Sequence, residues 1–294
     1  MESFEKSIES YFQDQDRPLP RVTLGAINKA GTFSYVKSFG GQSGTPDADV
    51  PDTSDVYWIA SCSKLITTIV ALQCVEKGLL NLDDDISGIL PEWKDPKILA
   101  HDFPTLLVAP PGTRWRYSPS LDWAGQIIER VNPGLKLGDL IRRDILAPLH
   151  LPTTALTFHL PPAAASSSPP RLARAWERRA SGSLRPLAPQ AVMPDPVADD
   201  FGGRGLYATA GAWLAVARAL VAGGAPLLRP GTAAGMFAAQ MGDAVAEGLA
   251  EEWIDPEKGV AGVYLSQLMP TGDSKSVELL GKFEEAVYAA VGQS

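Results

Sequence analysis

Tyr57-Trp58-Ile59-Ala60-Ser61-Cys62-Ser63-Lys64, with the apolar run that follows it, is the stretch on which the fold turns. A short β-prone segment ends at Ala60, and the spacing after it predicts a helix from Cys62 to Lys77, closed by Gly78. Leu65, Ile66, Ile69, Val70, Leu72, Cys74 and Val75 make that helix apolar almost all round, so a central, buried position is expected. Ser61 and Lys64 are three residues apart, which on a helix makes them neighbours on one face. The same Ser-x-x-Lys pattern recurs at Ser34-Tyr35-Val36-Lys37, but in a strand positions i and i+3 point to opposite faces and cannot meet. At a helix N-terminus, free backbone N–H groups favour developing negative charge, and a lysine at the edge of a buried helix can take a serine's proton. The bland reading of the pair is a helix N-cap serine and a solvent-facing lysine, and local sequence leaves both readings open.

Outward from this centre, the chain alternates elements with clear stops. Phe4, Ile8, Tyr11 and Phe12 recur at helical spacing in the acidic segment Met1 to Asp16. Arg21 to Ile27 and Thr32 to Phe39 read as a hairpin turning at Asn28 to Gly31. Gly40 to Gly44 and Pro46 to Pro51 read as loop. Helices are expected from Ser120 to about Val131, near Leu137 to Leu146 with Pro148 as stop, from Thr209 to Ala222, and after Pro230. Trp253 to Gly259 and Val260 to Leu268 read as two strands around a tight turn. A last helix, Ser274 to Val291, would present Val277, Leu280, Phe283, Val287 and Val291. The pattern implies an α/β (α+β) fold: an antiparallel sheet built from both chain ends and flanked by helices, with a helical region inserted between. One domain over 1–294 is expected, its sheet part about 1–60 and 250–294 and its helical part about 61–249, with a Pro/Ala/Ser-rich loop over about 161–200.

Composition narrows the function. The 294 residues are 45% hydrophobic with a net charge of −8, and the arginines of Arg171 to Arg185 lie in a Pro/Ala/Ser-rich stretch, so nucleic-acid binding is not expected. No apolar run is long enough to span a bilayer and the acidic N-terminus has no apolar core of a signal, so a cytoplasmic protein is expected. Cys62 and Cys74 would be about 18 Å apart along the helix, beyond disulfide reach. Three histidines make a histidine-rich metal site an unexpected outcome, and Asp83-Asp84-Asp85 reads as a cap for the next short helix.

The surroundings of Ser61 carry a resemblance. Tyr57 to Lys64, the helix after it, and Gly78-Leu79-Leu80-Asn81-Leu82-Asp83-Asp84 resemble the serine β-lactamase and penicillin-binding-protein superfamily, in its class C-like esterase and acyltransferase branch. Pro111-Gly112-Thr113-Arg114-Trp115-Arg116-Tyr117-Ser118 resembles the second motif, and with Pro119 and Leu121 to Gly125 it is most similar to fungal lovastatin-type acyltransferases. Gly203 to Thr209 and Asp255 to Tyr264 match further segments. The resemblance implies a β-lactamase/transpeptidase-like fold and acyl transfer through a covalent Ser61 intermediate, as a transesterase or an esterase of fungal-type secondary metabolism. Lys64 and Tyr117 would share the proton work, and the Ser61 N–H would give half of an oxyanion hole. It also implies a small-molecule acyl donor, an ester or thioester either free or carrier-protein-bound, and an alcohol or water acceptor. No cofactor, metal, nucleic acid or membrane is called for.

The chain departs from the pattern twice. No His-Thr-Ser-Gly-type segment lies in the 53 positions from Lys64 to Tyr117, where Lys97 to Ala100 passes almost directly to Phe103 to Leu107. The strand motif expected before Trp253 is replaced by Gly242 to Leu249, which reads as helix. A second reading is therefore a catalytically impaired binding or scaffold protein on the same fold. A β-lactamase proper is a third, against which stands Pro119, where the penicillin-binding branch has an asparagine.

Overall fold

Strand β1 (Val22–Asn28) and strand β9 (Val260–Ser266) come from opposite ends of the chain and pair antiparallel along their whole length, Val22 opposite Ser266 and Asn28 opposite Val260. They form the centre of the computed structural model, which describes residues 1–40, 53–94, 116–160, 171–188, 197–238 and 253–292. Strand β2 (Ser34–Phe39) folds back on β1 through the expected hairpin, and β8 (Trp253–Asp255) folds onto β9, giving the order β2-β1-β9-β8, all antiparallel. The helices that cover β1 come from both ends and from the middle of the chain. Val22, Leu24, Ala26 and Val260 pack with Phe4, Ile8 and Tyr11 of α1 (Glu2–Gln13) and with Leu279, Phe283 and Val287 of α7 (Ser274–Val291). The opposite face, with Ala261, Val263 and Leu265, joins a second core with α5 (Ala210–Val221) and α2 (Ser63–Glu76).

The last helix corrects one expectation. Its buried stripe is Leu279, Phe283 and Val287, while Val277 is 58% exposed. Phe283 and Val287 belong to the expected face, and the first turn is held by its cap. Asp273 caps the first turn by accepting from the N–H groups of Lys275 and Ser276, and it is itself gripped by Arg178, whose Nε donates to it at 2.5 Å.

A smaller sheet carries the site. Strand β3 (Val56–Trp58) pairs antiparallel with β7 (Tyr207–Thr209), which also pairs β4 (Leu156–Thr157). Helix α2 lies behind it with Ile66, Ile69 and Val70 fully buried, each worth roughly 1.5–3 kcal/mol on removal from water. Gly78, at φ +70°, ends that helix in the left-handed conformation a glycine adopts without steric cost. Helix α3 (Ser120–Val131) and α4 (Leu137–Ile141) pack against α2, and α4 runs on as a π-type turn over Arg142–Leu146. The short helix after Pro230 is α6 (Pro230–Met236). Asp85 caps the 3-10 turn at 86–88, accepting from the Ser87 N–H at 2.8 Å.

Within the stretch read as loop, the described part holds a hairpin of β5 (Trp176–Arg178) and β6 (Leu184–Pro186), with β5 also pairing β10 (Leu268–Met269) in parallel. Its strands are three residues long and one ends in proline, so composition hides them. They exist because β10 supplies the partner. The loop segments at 41–52, the segment 95–115 with most of the second motif, and the Gly242 to Leu249 helix lie outside the described residues. Among the described residues no helix is long and apolar enough to cross a membrane.

Candidate active site

Strand β3 ends at Trp58 and the chain bends sharply at Ala60 before the helix begins. Ala60 has φ +45°, a left-handed conformation that costs a non-glycine residue about 1–2 kcal/mol. The bend is held on both sides: the Ile59 N–H donates to the Leu206 carbonyl at 2.9 Å, and Ser63 Oγ donates to the Ala60 carbonyl at 2.6 Å. Ser61 therefore sits in a 3-10 turn, Ala60–Cys62, that leads into α2. The first intrahelical bond of this turn is made by the Cys62 N–H to Ile59, so the Ser61 N–H has no intrahelical acceptor.

Ser61 is not a cap. Its Oγ lies 2.5 Å from the Tyr117 hydroxyl, and Lys64 Nζ donates to that same hydroxyl at 2.7 Å. Tyr117, just before α3, is 61% exposed, which rules out a packed core tyrosine. The three residues singled out in the sequence are thus brought together, with Tyr117 in the middle. Among the described residues Lys64 reaches Ser61 only through the tyrosine oxygen. Its ammonium also stands over the Tyr117 ring, 4.7 Å from the centroid. These contacts hold the Tyr117 phenol below the usual tyrosine range: the Lys64 hydrogen bond is the largest cause, the Ser61 hydrogen bond the next, and partial burial opposes them. An oxygen so placed is helped to stay charged beside an ammonium until it accepts a proton from Ser61 Oγ.

A loop from Gly202 to Leu206 completes the site, and sequence reasoning gave its residues no role. Lys64 Nζ donates to the Gly203 carbonyl at 2.7 Å, and Thr67 Oγ1 donates to the Gly202 carbonyl at 2.7 Å. Leu206 N–H donates to Ser63 Oγ at 3.1 Å, and Trp58 Nε1 donates to the Arg204 carbonyl at 2.5 Å. A Cβ at Gly202 would fall 2.7 Å from the Leu121 carbonyl and 2.9 Å from the Thr67 side chain, so only glycine lets the loop approach this closely. The signal available in the sequence was Ser63, Lys64 and Thr67, polar residues at helical spacing at the start of a largely apolar helix.

This fold and site define the class: the chain belongs to the beta-lactamase family, whose family model matches residues 50–283. Particular relatives are fungal. The lovastatin esterase of Penicillium rubens is 28% identical over 74% of this chain and 68% of its own length. The monacolin J acid methylbutanoyltransferase of Aspergillus terreus is 26% identical over 80% of this chain and 69% of its own. Unliganded simvastatin synthase from Aspergillus terreus superimposes with a TM-score of 0.84 at 22% identity, covering 99% of this chain and 98% of that one. A hydrolase with promiscuous acyltransferase activity gives a TM-score of 0.75 at 19% identity over 98% of this chain and 99% of that one. At these identities the structural likeness shows the fold.

Proposed function

We propose that the chain is a serine acyl-transfer enzyme, an acyltransferase or esterase, that works through a covalent Ser61 intermediate. The carrying observation is the Tyr117 oxygen, bonded at 2.5 Å to Ser61 Oγ and at 2.7 Å to Lys64 Nζ, on a phenol whose acidity is raised by both. Ser61 Oγ attacks the acyl carbonyl and its proton passes to Tyr117. The tetrahedral intermediate collapses as the leaving alkoxide or thiolate takes that proton back from Tyr117. An alcohol or water then gives its proton to Tyr117 and attacks the acyl-enzyme, and Ser61 recovers its proton as it leaves. The Ser61 N–H, which has no intrahelical acceptor, would serve the developing oxyanion as one donor. Residues 1–294 act in this reading as one domain. The fungal relatives are named as an esterase and a methylbutanoyltransferase, which supports ester cleavage and acyl transfer; the donor of this reading is an ester or thioester, free or carrier-protein-bound, in secondary metabolism. The test is covalent labelling: a fluorophosphonate should add one adduct by intact mass, mapped to the Ser61 peptide and lost in Ser61→Ala. An adduct that survives Ser61→Ala would refute the assignment.

The proton acceptor also fixes the pH dependence. Tyr117 works as a base in its deprotonated form, so kcat/KM rises with pH through the pKa of the phenol, which Lys64 holds below its usual value. In Lys64→Met the largest cause of the lowering is lost and the rising limb should move to higher pH. A limb at the wild-type position in that variant would remove Tyr117 as the titrating base.

A further inference from the structure

The carbonyl that holds Lys64 belongs to neither a helix nor a strand. It is that of Gly203, in the loop ahead of β7, so it stays in place only as well as that loop is tied down. The tie on the N–H side of the same residue is a carboxylate: Gly203 N–H donates to Asp122 Oδ1 at 2.9 Å. Asp122 sits in the first turn of α3, where an acidic residue ordinarily serves its own helix, yet α3 has no side-chain cap bond. Its carboxylate is directed across to the loop instead. Gly203 makes room for it, since a Cβ there would stand 3.0 Å from Oδ1 and 3.1 Å from Oδ2. One residue thus receives Lys64 on its carbonyl and offers its N–H to Asp122, which links α2 to α3 through a single glycine.

We propose that Asp122 is a positioning residue for acyl transfer: it holds the Gly203 peptide so that the Gly203 carbonyl keeps Lys64 on the Tyr117 oxygen. The inference rests on the Ser61 reading of the site. The negative charge of Asp122 has a second consequence, because it opposes Lys64 and raises the Tyr117 phenol. That opposition suits a group that must first take the proton of Ser61, since a phenol held too acidic is a weak base.

Asparagine and alanine at this position separate the two effects. Asp122→Asn keeps an oxygen for the Gly203 N–H and removes the charge, whereas Asp122→Ala removes both. With ¹³Cζ-labelled tyrosine, and the Tyr117 signal identified by its loss in Tyr117→Phe, the phenol should titrate at lower pH in Asp122→Asn than in wild type. The rising limb of p-nitrophenyl ester cleavage should move the same way. In Asp122→Ala, kcat should fall about tenfold with KM little changed, and Asp122→Asn should restore kcat to within about threefold of wild type. An unmoved Tyr117 titration in Asp122→Asn, or a wild-type kcat in Asp122→Ala, overturns the proposal. The titration needs no turnover. An inactive wild type would therefore count against the Ser61 reading, while the phenol shift still decides what Asp122 does.

Discussion

Tyr117→Phe is expected to lower kcat/KM for ester cleavage by about 10²–10⁴, the usual worth of a positioned general acid–base. The substitution is a clean one. Phenylalanine keeps the ring under the Lys64 ammonium, now 4.7 Å from the centroid, and removes only the oxygen that bridges Ser61 and Lys64. Among the described residues Ser61 then has no acceptor for its proton, and Lys64 is left with the Gly203 carbonyl. Because the lysine acts on the serine through that oxygen, Lys64→Met should cost a similar factor. The double variant should be little worse than either single one, as is found for groups that work as a unit. Rates on a series of p-nitrophenyl esters, normalised to fluorophosphonate-reactive sites, would measure this. Retention of wild-type rates within about threefold in Tyr117→Phe, or full additivity of the two losses, would count against a bridging tyrosine.

That arrangement was only partly legible in the sequence. The nearness of Ser61 and Lys64 could be read because it is local, a matter of three residues on one turn. Tyr117 lies 53 positions beyond Lys64, and no periodicity connects them; only the motif resemblance pointed to it. The Gly202–Gly203 pair went unassigned because its work is done by backbone groups, one N–H, two carbonyls and the absence of a Cβ, and Asp122 went unassigned because its carboxylate acts on that backbone. The sheet from both chain ends was readable because its strands and turns carry strong local signals, and its pairing followed from their order along the chain. On α7 the reading found Phe283 and Val287 but misplaced Val277, which lies in the first turn beside Asp273; the Arg178 contact that holds Asp273 is 95 positions long. The β5–β6 hairpin, likewise, depends on β10 rather than on its own residues. Long-range contacts, rather than weak local preferences, account for what was missed.

Asp55 marks the other place where one residue should carry a large effect, this time on stability. It is fully buried at the entrance to β3, with Arg21 Nη1 at 2.7 Å from one oxygen and Arg171 Nε at 2.5 Å from the other. Arg21 stands just ahead of β1, so this carboxylate joins the four-stranded sheet to the small sheet that presents Ser61. A neutral bridge runs beside it, from Tyr57 to Thr23 Oγ1 at 2.8 Å, with the Tyr57 phenol pushed up to about 12 chiefly by burial. Removing one partner of a buried ion pair costs about 3–5 kcal/mol, because the charges left behind lose their compensation. The two arginines keep some access to water, 16% and 36% of their side chains, which places Asp55→Ala toward the lower end of that range. Thermal unfolding should then shift down by roughly 5–10 °C. Asp55→Asn should fall between, since it keeps the shape and loses the charge. The pH profile of the folded enzyme should stay where it is, because Asp55 touches neither Tyr117 nor Lys64. A stability loss without a moved profile would make Asp55 an anchor for the strand that delivers the serine; a moved profile would mean that the joint between the sheets reaches the proton acceptor itself.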